Sequence, residues 1–168
     1  MSATERQDRP PTIRRATAMD APAIAELLLS SFRAALPAVR LVHGDDEVRT
    51  WVRDALVAVH ETWLAEQRSG TGEWPEIVGF MTLHGSHIEQ LYVAVGHWRQ
   101  GIGSALLDIA RARSPRLLEL YTFQVNAPAI SFYLARGFTI VDANDGSRNE
   151  EQEPDYLMRW SPGESATA

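Results

Sequence analysis

The sequence predicts an α+β fold of about seven strands and four helices, and three observations carry that prediction. An apolar strand, Leu91-Tyr92-Val93-Ala94-Val95, runs through the glycine-spaced turn Arg99-Gln100-Gly101-Ile102-Gly103 directly into a helix. A second short helix, Asn126 to Arg136, stops at Gly137 and re-enters a strand at Phe138. Between the apolar runs Thr62 to Gln67 and Ile77 to Leu83 lies Arg68-Ser69-Gly70-Thr71-Gly72-Glu73, which is too polar and glycine-rich for anything but a hairpin loop.

The elements follow in order. Thr12 to Ala16 reads as the first strand. Asp20 before Ala21-Pro22 starts a helix with a capping acid and a first-turn proline, and Ile24, Leu27 and Leu28 share one face of it. Asp45-Asp46 caps a second helix, whose Val48, Trp51, Val52, Ala55 and Leu56 keep the helical period. After the hairpin comes a fourth strand, His87 to Val93. The turn helix then runs from about Gly103 to Arg113 and ends before Pro115. Leu117 to Phe123 is a strand, Pro128 to Arg136 the last helix, and Phe138 to Val141 and Asp155 to Trp160 close the sheet. We expect one domain over residues 12–160, with polar tails at 1–11 and 161–168.

Composition narrows the chemistry. The 168 residues contain no cysteine, which excludes disulfides, thiolate metal sites and a covalent acyl-cysteine. A net charge of -6 disfavours nucleic acid as a partner, and no apolar run approaches the roughly 20 residues of a membrane span. The expected compartment is the cytoplasm, the expected state a monomer or homodimer. His84 and His87 could suggest a metal pair, but with no third ligand in view no metal is expected. The charge is uneven: Asp142, Asp145, Glu150, Glu151, Glu153 and Asp155 face only Arg148 across one segment. Such a run is usually a solvated loop. Beside an acceptor site it would concentrate cationic amines.

The glycine turn suits phosphate, because Gly101 and Gly103 allow close backbone approach while the helix start offers free N–H groups and a positive dipole end. Arg99 adds a cation. A dinucleotide fingerprint would need a third glycine where Leu106 stands, and a P-loop would need Gly-Lys-Ser/Thr, which is absent.

Taken together, Gly101 and Gly103 with Asn126, Ala129, Phe132, Tyr133, Gly137 and Phe138 resemble the acyl-CoA motif of the GNAT superfamily of N-acetyltransferases, of the bacterial type. Trp98 departs from it, standing where Arg or Gln is usual, with Arg99 and Gln100 next door. The resemblance covers nearly all of residues 12–160. It implies a mixed, mainly antiparallel sheet with helices on both faces, splayed between strands 4 and 5 so that the pantetheine arm of acetyl-CoA enters the gap. It implies contacts to acetyl-CoA, as co-substrate, from Leu91, Tyr92 and Val93 as backbone and from Trp98, Arg99, Gln100, Gly101, Ile102, Gly103, Ser104, Asn126 and Tyr133.

The implied reaction is direct transfer of an acetyl group to a primary amine, from a small molecule or a peptide, in a ternary complex. An amine of pKa ~10.4 must lose a proton first, at roughly 5 kcal/mol at neutral pH. Strand alternation places His87, Glu89, Leu91 and Val93 on one face, making Glu89 the first candidate base and His87 the second. Glu89 is either that base or an exposed rim acid, and His87 could simply face solvent. Tyr133 is the implied acid for the leaving thiolate, or else a buried tyrosine with a satisfied hydroxyl. Asn126 either bonds the pantetheine amides or caps the last helix, and Ser104 either donates near the phosphates or is an ordinary first-turn serine. The other reading is a CoA-binding regulatory module in which turnover is lost, for which Trp98 is the motive.

Overall fold

The computed structural model describes residues 10–68 and 74–163. Seven strands form one sheet: β1 Thr12–Arg15, β2 Glu61–Gln67, β3 Glu76–His84, β4 His87–Val93, β5 Leu118–Phe123, β6 Thr139–Asn144 and β7 Asp155–Trp160. Their spatial order is β1-β2-β3-β4-β5-β7-β6. Four α-helices accompany them: α1 Ala21–Ala35, α2 Asp45–Trp51, α3 Ile102–Arg113 and α4 Ala127–Leu134. The α+β class, the element order and the strand count agree with the sequence reading. The tip of the expected hairpin loop, residues 69–73, and most of both expected tails lie outside the described residues.

Two apolar cores sit on opposite faces of the sheet, because each strand's alternation gives one set of side chains to each side. On one face Met81, Leu83, Ile88, Leu118, Leu120 and Met158 pack under Ile102, Leu106 and Leu107 of α3, with Tyr133 and Phe138. On the other, Leu64 and Phe80 pack under Ile24, Leu28 and Leu29 of α1 and Val48 of α2. A small cluster of Phe32, Leu36 and Val39 closes the end of α1.

Two helix starts differ from expectation. Asp20 makes no cap bond to α1. It serves the short 3₁₀ turn ahead of that helix, accepting from the Thr17 N–H at 2.7 Å and from both terminal nitrogens of Arg14. At α2 the N-cap is Gly44, whose N–H donates to Glu47 at 2.8 Å; Asp45 and Asp46 lie inside the first turn, where they oppose the helix dipole end favourably. The helical pattern past Trp51 continues as wider π turns over Val52–Val57.

Every neighbouring pair in the sheet is antiparallel except β4 and β5, which are parallel and share a single pair, His87 with Glu119. Beyond it the two strands part. This is the splay that the motifs implied.

A bulge in β4 alters what its side chains face. Ile88 pairs with Leu83 and Gln90 with Thr82, so Glu89 is the extra residue. An inserted residue shifts the alternation by one. Ile88 therefore shares the α3 face with Leu91 and Val93, whereas His87, opposite His84, lies on the other face. The predicted row of His87, Glu89, Leu91 and Val93 does not exist.

Close approach of α3 to the sheet depends on Gly79 of β3. A Cβ there would lie 2.9 Å from Ile102 Cγ2 and 3.1 Å from the Tyr92 carbonyl oxygen. Gly79→Ala should lower unfolding stability by about 1–3 kcal/mol in a urea titration, because neither neighbour can retreat without moving the helix or strand.

Candidate active site

The parting of β4 and β5 opens a cavity of about 760 Å³. Its walls come from both sides of the sheet: Leu28 and Phe32 of α1 on one, Ala129 and Tyr133 of α4 on the other, with the β4 segment Ile88 to Tyr92 and the β5 segment Leu120 to Phe123 between them. It is a passage through the sheet. A bound molecule could enter from one face and meet a second molecule arriving from the other.

The glycine turn does not line this cavity; it lies at the start of α3. Gly101 is the N-cap residue of α3 at φ 81°, and a Cβ built on it would meet nothing within 4 Å. Only glycine takes this conformation without strain, and the open space above it is where a ligand atom could come close. Arg99 also has a positive φ of 63°. Successive left-handed and right-handed residues turn backbone N–H groups inward, which suits an anion. Arg99 is exposed and makes no hydrogen bond or ion pair among the described residues. Gln100 folds back, its side-chain amide donating to the Gly96 carbonyl at 3.0 Å.

Three residues of this turn act differently from the sequence reading. The Ile102 side chain is buried in the core, leaving only its backbone for a ligand. At Gly103 an added Cβ would lie 3.2 Å from the Phe132 ring, so this glycine serves contact between α3 and α4. Ser104 Oγ accepts from Arg136 Nε at 3.1 Å and Nη2 at 2.5 Å, and Arg136 lies over the Phe132 ring at 3.7 Å. Arg136 thus brings a second cation toward the start of α3. The sequence reading passed over it, although its place beside Gly137 in the second motif was a signal.

Trp98 is half exposed, and its indole N–H donates to the Val93 carbonyl at 2.8 Å. Ser31 of α1 donates to the same oxygen at 3.1 Å. Both lone pairs of that carbonyl are engaged. The N–H and carbonyl of Tyr92 face Phe80 within the β3 ladder, so, contrary to the sequence reading, the unpaired backbone available to a ligand is at Leu91 and the Val93 N–H, not at Tyr92 or the Val93 carbonyl.

Glu89 lines the cavity, and its carboxylate lies 3.8 Å from His84 Nδ1. The bulge turns it away from the α3 core. His87 does not line the cavity; its ring packs on Tyr121 with centroids 5.4 Å apart. The structure thus separates the two candidate bases. Tyr133 lines the cavity between Phe132 and Phe138, and burial, with a smaller contribution from Tyr92, pushes its phenol above the ordinary tyrosine range. Tyr92 lines the same cavity, stacked on Phe80, and burial raises its phenol likewise. The sequence reading used only the backbone of Tyr92. Its side chain lies on the face opposite Leu91 and Val93 by plain strand alternation, downstream of the bulge.

Asn126 caps α4, its side-chain oxygen accepting from the Ala129 N–H at 3.3 Å, and it also lines the cavity. The acidic segment borders the far end of the passage through Asn144, Asn149, Glu150, Glu151 and Asp155. His43, after α1, reaches across to Glu150 at 2.8 Å, and that hydrogen bond raises the imidazole pKa. No group of three or more His, Asp or Glu able to hold a metal occurs among the described residues, and no helix among them is long and apolar enough to cross a membrane.

The family model described as "Acetyltransferase (GNAT) domain" matches residues 58–140. The peptidyl-lysine N-acetyltransferase YiaC of Escherichia coli K12 is 35% identical over 149 residues, 88% of this chain and 95% of that one. Among solved structures, apo YjaB of Escherichia coli superposes with a TM-score of 0.72 at 21% identity, covering 90% of this chain and 98% of that chain. YncA of Salmonella typhimurium, solved with acetyl-CoA, does so at 0.64 and 18% identity over 91% and 94%. The chain is an acetyltransferase of the GNAT type. It belongs to the GNAT family.

The cap at α4 yields a test. Asn126→Ala should cost about 1 kcal/mol of unfolding stability, whereas Asn126→Asp keeps the accepting oxygen and should stay within a few tenths of wild type, measured by chemical denaturation.

Proposed function

We propose that the protein transfers the acetyl group of acetyl-CoA to the ε-amine of a lysine side chain in a peptide, by direct attack within a ternary complex. One observation carries the proposal: the cavity passes through the sheet, with Tyr133 on the side of the glycine turn and Glu89 and the acidic segment facing the opposite mouth. The lysine acceptor draws further support from YiaC, a peptidyl-lysine N-acetyltransferase. The domain we assign to this function spans residues 12–160.

The residues present suit a CoA thioester. Its diphosphate would rest on the first N–H groups of α3 between Gly101 and Gly103, with Arg99 beside them and Arg136 behind Ser104. Its amide-bearing arm would pair with the gap-facing backbone of Leu91 and the Val93 N–H, where β5 has withdrawn. When bound, it supplies an acyl carbon activated toward nucleophiles. A backbone N–H of β4 near Leu91 is a fixed dipole that can stabilise negative charge developing on the acyl oxygen.

Glu89 takes the proton of the incoming ammonium, directly or through one water, giving a path inside the site for a proton loss that costs roughly 5 kcal/mol at neutral pH. Tyr133, like any tyrosine, holds its proton at that pH, and burial strengthens that hold. It can donate a hydrogen bond and then its proton to sulfur as the thiolate departs, and it is reprotonated by the proton that the attacking nitrogen sheds as the amide forms. No residue becomes covalently modified, in keeping with a chain that has no cysteine.

Two substitutions test these roles through thiol release. Tyr133→Phe should lower kcat about 10- to 10²-fold with the calorimetric affinity for CoA retained; unchanged turnover would remove Tyr133 from the acid role. Glu89→Gln should cost about 10²-fold in kcat/KM at pH 7, with the deficit narrowing as pH rises toward the amine's own pKa of ~10.4, where solvent already holds the nitrogen neutral. A parallel pH profile would assign the proton to solvent or another group.

A further inference from the structure

We propose that Asp155 selects acceptors carrying a second positive charge next to the reacting lysine, an inference that rests on the acyl-transfer reading above. Asp155 is the first residue of β7 and only 6% exposed. It pairs with Phe123 of β5, so both side chains lie on the sheet face opposite Leu118, Leu120 and Met158, which pack under α3. That is the face of Phe32 and Tyr92, on the acceptor side of the cavity, and Asp155 lines the cavity wall there.

Its carboxylate is half satisfied. Oδ2 accepts from Asn149 Nδ2 at 2.8 Å, whereas Oδ1 is buried with no hydrogen-bond partner. A buried carboxylate oxygen left unpaired costs more than an ordinary unmade hydrogen bond, and a donor on a ligand would recover that cost. Asn149 holds the position firmly, since the same amide donates to the Glu153 carbonyl at 2.8 Å and its oxygen accepts from the Glu153 N–H at 3.2 Å.

Charge counting shows which donor. At this end of the cavity stand Glu47, Glu89, Glu150, Glu151 and Asp155, against Arg148 and His43. Arg148 is turned to Asp142 at 2.9 Å and His43 to Glu150 at 2.8 Å. One lysine ammonium answers one acid, and Glu89 must then remove its proton for attack to occur. A carboxylate that held the reacting nitrogen as a cation would oppose that step. Asp155 is therefore suited to a neighbouring, non-reacting cation, whose charge can stay in place throughout.

The test uses the full chain and two peptides, acetyl-Lys-Arg-amide and acetyl-Lys-citrulline-amide, which match in shape and differ in one charge. Wild type should show kcat/KM about tenfold or more higher for the arginine peptide, mainly through KM, as expected for a charge-assisted hydrogen bond. Asp155→Asn keeps an oxygen for Asn149 and should shrink the ratio below about threefold. Equal values for the two peptides in wild type, a comparison that needs no variant, or a ratio that survives in D155N, overturns the proposal. Absence of thiol release with both peptides counts against acyl transfer instead. In that event the same ratio, read by calorimetry as peptide affinity for the CoA-saturated protein, still decides for or against Asp155.

Discussion

The separation of β4 from β5 after one shared pair is the constraint on which the rest of the molecule depends. Backbone groups facing a gap in a sheet are costly unless water or a ligand reaches them. The chain tolerates the gap because each half of the sheet is stabilised separately. β1 to β4 form one continuous antiparallel ladder, and β5, β7 and β6 form another. Apolar layers on the two faces then join the halves: Leu118 and Leu120 of β5 share a core with Met81 and Leu83 of β3, and Phe123 joins Phe32 and Tyr92. The opening is thus held by packing on both sides of it, which keeps its walls fixed while its backbone remains free to bind.

The bulge at Glu89 decides which chemistry each mouth of the passage receives. With regular alternation the carboxylate would point with Leu91 and Val93 into the α3 core, where a charge is expensive. One inserted residue sends it to the cavity, sends Ile88 to the core in its place, and leaves His87 against Tyr121. Apolar and polar side chains of a single seven-residue strand are sorted by that one irregularity.

Much of this was legible in the sequence. Local chemistry announces the elements: the glycine turn before α3, Asn126-Ala127-Pro128 at the start of α4, and the alternating strands on either side of the polar hairpin segment. The family resemblance that the motif residues carry also implied the splay and a place for Tyr133 beside it. What stayed hidden depends on contacts distant in sequence. The bulge exists only in the pairing of β4 with β3. The engagement of Ser104 by Arg136 joins residues 32 apart, and the reach of His43 to Glu150 joins residues 107 apart. Asp20 and Asp45 both read as caps, yet Arg14 and Glu47 decide how the two helix starts are satisfied.

Trp98 illustrates how a departure from a motif can leave the backbone of the turn unchanged. An Arg or Gln at that position would offer the turn a side-chain donor, but the turn's backbone N–H groups are oriented by the left-handed Arg99 and Gly101. Those do not depend on the side chain at 98. The indole instead spends its single donor on the Val93 carbonyl, which also receives the Ser31 hydroxyl. This oxygen marks the point where β4 ends, α1 crosses one face and the turn to α3 begins on the other. Saturating it ties the acceptor-side helix to the phosphate turn through one atom. It also leaves the Val93 carbonyl unable to accept from a ligand, so the gap-facing groups of β4 that stay unpaired are the Val93 N–H and, upstream, the N–H and carbonyl of Leu91.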